Sequence, residues 1–187
     1  MKNILVLVHD RFNDVELVST LSCLKRSKQF EITYFNPNTK IKNVTGSYEI
    51  VKLEVVNKVN YDDFDLMFIP GGPGAFALRE DQESLSLIKN FITENKHVYA
   101  ICDAPNVLFE NQIIQKDEYY SAFPMYKNGF LDKKPGVNYC ESYVTNTNNL
   151  ITTARCADAA IALGLEIVKQ NCDQKTYDAV KLSMLAE

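Results

Sequence analysis

At 187 residues the chain is long enough to bury one generous hydrophobic core, and a single domain spanning residues 1–187 is the expectation. Its 20 basic and 24 acidic residues leave a net charge of −4, without the broad positive field that nucleic-acid binding requires. No apolar run reaches the roughly 18 residues of a membrane-spanning helix, so small molecules and proteins are the expected partners, not nucleic acid or membrane.

The first strand-like segment starts almost at Met1, which leaves no space for a basic, apolar and cleavable leader, and a cytoplasmic protein is expected. The five cysteines, Cys23, Cys102, Cys140, Cys156 and Cys172, are odd in number and widely spaced. They form no C-x-x-C pair and have no histidine placed to complete a zinc site, so neither a disulfide framework nor a metal centre is expected.

Along the chain, residues 3–8 form a continuous apolar run, the pattern of a strand covered on both faces. Asp14 is placed to cap a helix in which Val15, Leu17, Val18, Leu21 and Leu24 recur near helical spacing. Lys25, Arg26 and Lys28 suit its C-terminus, where the helix dipole favours positive charge. A second strand is expected over 30–35, closed by the turn residues Asn36, Pro37 and Asn38. The β-branched residues between 41 and 59 suggest small strands or a hairpin. Another buried strand, 64–69, ends in Pro70-Gly71-Gly72-Pro73-Gly74, followed by a helix over 82–94 and a strand over 97–101. A helix over 105–110 starts on Pro105, and 119–123 reads as a strand. Residues 137–145 and 150–153 suggest a hairpin through Asn146-Thr147-Asn148-Asn149, and helices over 158–170 and 174–185 finish the chain. The β-α-β alternation predicts an α/β fold, doubly wound, with a mostly parallel sheet and helices on both faces.

In such a sheet ligands bind at the carboxyl ends of the strands, so the loops 9–16, 70–74 and 102–105 should meet. Ala100-Ile101-Cys102-Asp103-Ala104-Pro105 puts a thiol between a buried strand and a helix N-terminus, the arrangement of a nucleophile elbow. Taken alone it is equally compatible with a buried cysteine acting as a small hydrophobe. The Gly71-Gly72 turn either exposes amide donors to a developing oxyanion or is an ordinary glycine turn. Glu16, amid apolar neighbours in the first helical turn, is either an acid favoured by the dipole or a desolvated carboxyl of raised pKa that can donate a hydrogen bond. His97 begins a strand and reads as structural. His9 ends one and reads as a solvated loop residue that could border the site. Cys23 reads as core, whereas Arg155-Cys156, at the start of a helix, is a further candidate to face the site.

Asp14-Val15-Glu16-Leu17, Ile69-Pro70-Gly71-Gly72-Pro73-Gly74, Ala100-Ile101-Cys102-Asp103-Ala104-Pro105 and Asn149-Leu150-Ile151-Thr152-Thr153-Ala154, in that order, make the chain resemble the ThiJ/PfpI superfamily of class I glutamine amidotransferase-like proteins. The resemblance implies a flavodoxin-like fold, a homodimer, and no metal or organic cofactor. It implies Cys102 as nucleophile, Glu16 as the carboxyl that hydrogen-bonds it, and Gly72 with Asp103 as backbone oxyanion donors. Peptidase-type members carry His directly after the nucleophile, where this chain has Asp103, and deglycase-type members carry His before a later Pro, where it has Phe123. Without either histidine, peptide hydrolysis lacks its base and acid. The expectation is a glyoxalase- or deglycase-like enzyme acting on small reactive carbonyls, with weak turnover. Alternatives are a redox-responsive stress or chaperone-like protein with an oxidisable Cys102, and a hydrolase or lyase using Asp103 as acid or base. The helix N-terminus and Glu16 are expected to hold the Cys102 pKa below the ~8.5 of a free thiol and make it the most oxidisable of the five.

Overall fold

The computed structural model describes residues 1–125 and 137–186. In chain order the elements are β1 (Lys2–Leu7), α1 (Asp14–Ser27), β2 (Phe30–Phe35), β3 (Asn43–Thr45), β4 (Lys52–Glu54), β5 (Leu66–Ile69), α2 (Gly74–Glu80) and α3 (Gln82–Thr93). There follow β6 (His97–Ile101), α4 (Ala104–Glu110), β7 (Tyr120–Ser121), β8 (Tyr139–Cys140), β9 (Val144–Asn146), β10 (Ile151–Ala154), α5 (Ala160–Asn171) and α6 (Gln174–Leu185).

Six strands form one sheet in the order β2-β1-β5-β6-β10-β9. All its pairings are parallel except that of β9 with β10. A parallel pair needs a long crossover, which the helices supply. The continuous apolar runs are explained by alternation. Ile4, Val6 and Val8 of the first strand pack with Leu17, Leu21 and Leu24 of α1 and Leu163, Ile167 and Val168 of α5. Leu5 and Leu7 point the other way, into a core built with Leu78 of α2, Ile88 and Phe91 of α3, and Val107 and Leu108 of α4. Each such side chain, fully removed from water, contributes about 1.5–3 kcal/mol. A polar residue between Ile4 and Val8 would therefore be costly, and there is none.

Several expectations are corrected locally. Asn13, not Asp14, is the N-cap of α1, its side chain accepting from the amides of Val15 and Glu16. Val15 and Val18 are exposed, whereas Glu16, Thr20 and Cys23 lie on the buried face with Leu17, Leu21 and Leu24. Helix α2 follows directly on the glycine turn, where only a turn was expected. The anticipated strand over 137–145 splits: β8 pairs in parallel with β7, and only β9 forms the hairpin with β10. The hairpin between 41 and 59 is present as β3 paired antiparallel with β4.

Candidate active site

The three loops meet at the carboxyl ends of β1, β5 and β6. Cys102 follows the last residue of β6 and takes φ 65°, a left-handed conformation that costs a non-glycine residue energy and must be held by its surroundings. Two backbone bonds hold it: the Cys102 amide donates to the Ala154 carbonyl at 2.9 Å, and its carbonyl accepts from Phe123 N–H at 2.7 Å. The strand is thus turned sharply into α4, and the thiol projects towards the glycine turn after β5.

That turn is shaped by its neighbours. A Cβ on Gly71 would stand 2.5 Å from Cys102 Cβ and 2.9 Å from Glu16 Oε2, so no side chain fits between them. Gly72 takes φ +84°, and its N–H is directed at the Cys102 thiol. Glu16, fully buried in the first turn of α1, accepts from Gly71 N–H through Oε2 at 2.9 Å. Its other oxygen, Oε1, is buried without a well-formed hydrogen bond, although the carboxyl interacts with the Cys102 thiol. A buried carboxylate oxygen with a free lone pair next to a thiol is where one proton can be shared.

The electrostatics follow from this geometry. Burial, opposed in part by the Cys102 and Gly71 hydrogen bonds, raises the Glu16 pKa from 4.5 to about 7. Burial and the Glu16 carboxylate push the Cys102 thiol up as well, and the Gly72 amide pulls it down. This corrects the expected acidic thiol: while Glu16 is ionised, two buried groups compete against a second negative charge, and the first proton lost is taken from a shared pair. The thiolate becomes accessible when Glu16 retains that proton, because the main repulsion then vanishes and a hydrogen bond replaces it.

Among the other thiols, burial raises Cys23 to about 11, and Cys156, whose Sγ donates to Asp158 Oδ1 at 3.0 Å, also to about 11. Cys140 is lowered, because Thr145, Ser121 and Ser142 donate to it and outweigh its partial burial.

Asp103 is brought to the site with its carboxylate engaged by a residue from another helix. Its carboxylate is buried and gripped by Arg79 of α2, Nη1 to Oδ2 at 2.6 Å and Nη2 to Oδ1 at 2.9 Å, while Asn106 Nδ2 donates to Oδ1 at 2.9 Å. Both carboxylate oxygens are thereby committed to hydrogen bonds with the guanidinium fork. Phe123, where a histidine was sought, packs against the core cluster that contains Cys102. His9 is not solvated: it is 9% exposed, and its Nε2 lies 3.0 Å from Asp81 Oδ2 at the N-cap of α3. His97 is structural, stacked on Tyr99 with its Nε2 2.9 Å from Thr152 Oγ1. Asp14 accepts the amides of Tyr48, Ile50 and Val51, fastening the loop between β3 and β4 to the start of α1. Sequence reasoning missed Arg79. Nothing around it forms a motif, and its pairing with Asp103 exists only once α2 lies against α4.

The family model that matches the chain over residues 2–170 is that of the DJ-1/PfpI family. The chain belongs to the DJ-1/PfpI family. Among its relatives, the uncharacterized protein MG029 of Mycoplasma genitalium is 38% identical over 90% of this chain and 87% of its own length. Protein/nucleic acid deglycase 2 of Escherichia coli is 25% identical over 90% and 96%. The solved structure of an oxidised Toxoplasma gondii DJ-1 superposes with a TM-score of 0.84 over 99% of this chain and 98% of that one, at 24% identity. The family's flavodoxin-like, class I glutamine amidotransferase-like fold is therefore the fold of this chain. Among the described residues, no group of three or more His, Cys, Asp or Glu is placed to hold a metal ion. No helix among them is long and apolar enough to cross a membrane.

Proposed function

We propose that the protein is a cysteine-dependent enzyme acting on small reactive carbonyls, of glyoxalase or deglycase type, with Cys102 as nucleophile. The observation that carries this reading is the buried Glu16 carboxyl, one oxygen held by Gly71 and the other unpartnered beside the thiol. In the first step the Cys102 thiolate adds to an aldehyde carbon, and the carbonyl oxygen takes the proton from Glu16 to give a hemithioacetal. The amides of Gly72 and Asp103 stabilise the negative charge that develops on that oxygen. With a dicarbonyl such as methylglyoxal, the Glu16 carboxylate then removes the hemithioacetal C–H proton and returns it to the neighbouring carbonyl carbon, while the hemithioacetal hydroxyl proton passes to the neighbouring carbonyl oxygen. Water hydrolyses the resulting thioester to a hydroxy acid and frees the thiol. A carboxyl with a pKa of about 7 is suited to both proton transfers near neutrality. The E. coli relative's name as a deglycase supports the same reaction class.

Lactate formation from methylglyoxal tests this reading. Cys102→Ala and Glu16→Leu should abolish turnover, with no peptide hydrolysis by the native protein. A folded Cys102→Ala variant retaining native rates would refute the assignment. Phe123→His should increase the rate if a missing base limits the chemistry.

A second reading, a redox-responsive stress protein with an oxidisable Cys102, is favoured by the absence of a histidine base: Phe123 is apolar and Asp103 is tied to Arg79. Peptide-resolved mass spectrometry after graded peroxide distinguishes it, since Cys102 should be oxidised before the other four thiols. For assembly we propose a cytoplasmic homodimer. Val15 and Val18 of α1 and Tyr48 and Ile50 of the loop fastened by Asp14 are large exposed apolar side chains on connected elements, and a second copy is the occupant that fits the family. Sedimentation should show a dimer that Val18→Glu weakens.

A further inference from the structure

A carboxylate directly after the nucleophile is an awkward choice of residue. Asp103 adds negative charge next to two groups that must themselves become negative, and it raises the pKa of both Cys102 and Glu16. It is also almost completely buried, where an unpaired charge would cost several kcal/mol. The fold resolves this with one residue from another helix. Arg79, at the C-terminal end of α2 and 12% exposed, extends its guanidinium between Asp103 and Glu110. Its Nε donates to Glu110 Oε2 at 2.9 Å, and its two terminal nitrogens grip Asp103. Oδ1 of the same carboxylate accepts a second bond from Asn106, whose Nδ2 also donates to the Phe123 carbonyl. Phe123 N–H in turn holds the Cys102 carbonyl. The chain of contacts Arg79, Asp103, Asn106, Phe123 therefore closes on the strained residue that carries the thiol.

We propose that Arg79 is a positioning residue for Cys102: acting through Asp103, it cancels the charge beside the thiol and locks the turn in which Cys102 sits. This deepens the reading of Cys102 as the reactive thiol and rests on it. The ionisable groups acting on Cys102 among the described residues are Glu16 from α1 and Asp103 from the start of α4; Arg79 from α2 and Glu110 from the end of α4 act on Asp103. With Arg79 removed, Asp103 becomes an uncompensated anion against the thiolate. With Asp103 made neutral, Arg79 keeps its pairing with Glu110, and no charge directly after the thiol is left for it to cancel.

The test measures iodoacetamide alkylation of the Cys102 peptide against pH in the native protein and in Arg79→Leu, Asp103→Asn, the double variant and Arg79→Lys. At neutral pH Arg79→Leu should slow alkylation by about tenfold, the change that one pH unit in thiol pKa produces. Asp103→Asn should alkylate at least as fast as native. The double variant should return to within about twofold of native, and Arg79→Lys should recover part of the loss by restoring charge without the two-pronged grip. A purely structural role would lower the stability of both single variants without this compensation in the pH profile. If Arg79→Leu leaves the profile unchanged, or the double variant is as slow as Arg79→Leu, the proposal is overturned. Should Arg79→Leu fail to fold, Asp103→Asn decides alone: slower alkylation than native refutes it. Because the assay follows the thiol and not turnover, an unreactive native Cys102 would instead refute the reading of the site.

Discussion

Glu16 gives the most direct quantitative handle on the site. Its carboxyl is fully buried, and burial is the main cause of the rise from 4.5 to about 7. A raised carboxyl pKa means that the folded state binds the proton more tightly than the unfolded chain. Between pH 4.5 and about 7 the native protein therefore carries more protons, and stability must fall as pH rises through that window. At 1.36 kcal/mol per pH unit, the gap makes ionised Glu16 cost about 3 kcal/mol above pH 7 relative to its protonated form. Glu16→Gln keeps a carbonyl oxygen for Gly71 N–H and cannot ionise. Urea unfolding at pH 4.5 should give similar stabilities for the native protein and the variant, and at pH 8.5 the variant should be more stable by about 3 kcal/mol. With a urea dependence of about 1–3 kcal/mol per molar, the midpoint difference is roughly 1–3 M, well within resolution. The same comparison in a Cys102→Ala background should retain the pH dependence, since burial and not the thiol dominates it. An unchanged difference between pH 4.5 and 8.5 would refute the claim that a buried, titrating carboxyl stands beside the nucleophile.

Other outcomes follow from neighbouring geometry. Gly71→Ala should destabilise the fold by about 1–3 kcal/mol and suppress Cys102 alkylation, because its methyl would meet Cys102 Cβ at 2.5 Å; thermal unfolding and alkylation rates check this. Asp14→Ala strands three loop amides and should cost roughly 3 kcal/mol, with faster hydrogen exchange at Tyr48, Ile50 and Val51. Burial lowers the pKa of His97 from 6.5 to about 4, so the neutral ring supports the fold above 6.5 and that support is lost as pH falls towards 4. His97→Asn, which has no proton to gain, should shift acid unfolding to lower pH, and an unshifted acid transition would refute this.

The sheet was legible in the sequence because its central strands are covered on both faces, which leaves uninterrupted apolar runs such as 4–8 and 98–101 that no exposed element would tolerate. The elbow was legible because strand, cysteine and proline-led helix are contiguous, and the Gly71-Gly72 turn because nothing larger fits there. What local pattern could not decide was which face of α1 is buried. Val15 and Val18 are as apolar as Leu17 and Leu21, and only packing across the chain, which buries the leucines with α5 and encloses Glu16 beside Gly71 and Cys102, leaves the valines exposed. The same limit hid the helix beginning at Gly74 and the burial of His9 against the cap of α3. It also disguised Asp103, which as a sequence neighbour of Cys102 reads as a candidate acid or base and in three dimensions is the bound partner of Arg79. Sequence alone determined which residues lie within a few positions of the nucleophile. Tertiary structure decided their charge states and partners, because desolvation and ion pairing depend on what is packed across the chain, at separations of 24 residues for Arg79 and Asp103 and 55 for Glu16 and Gly71.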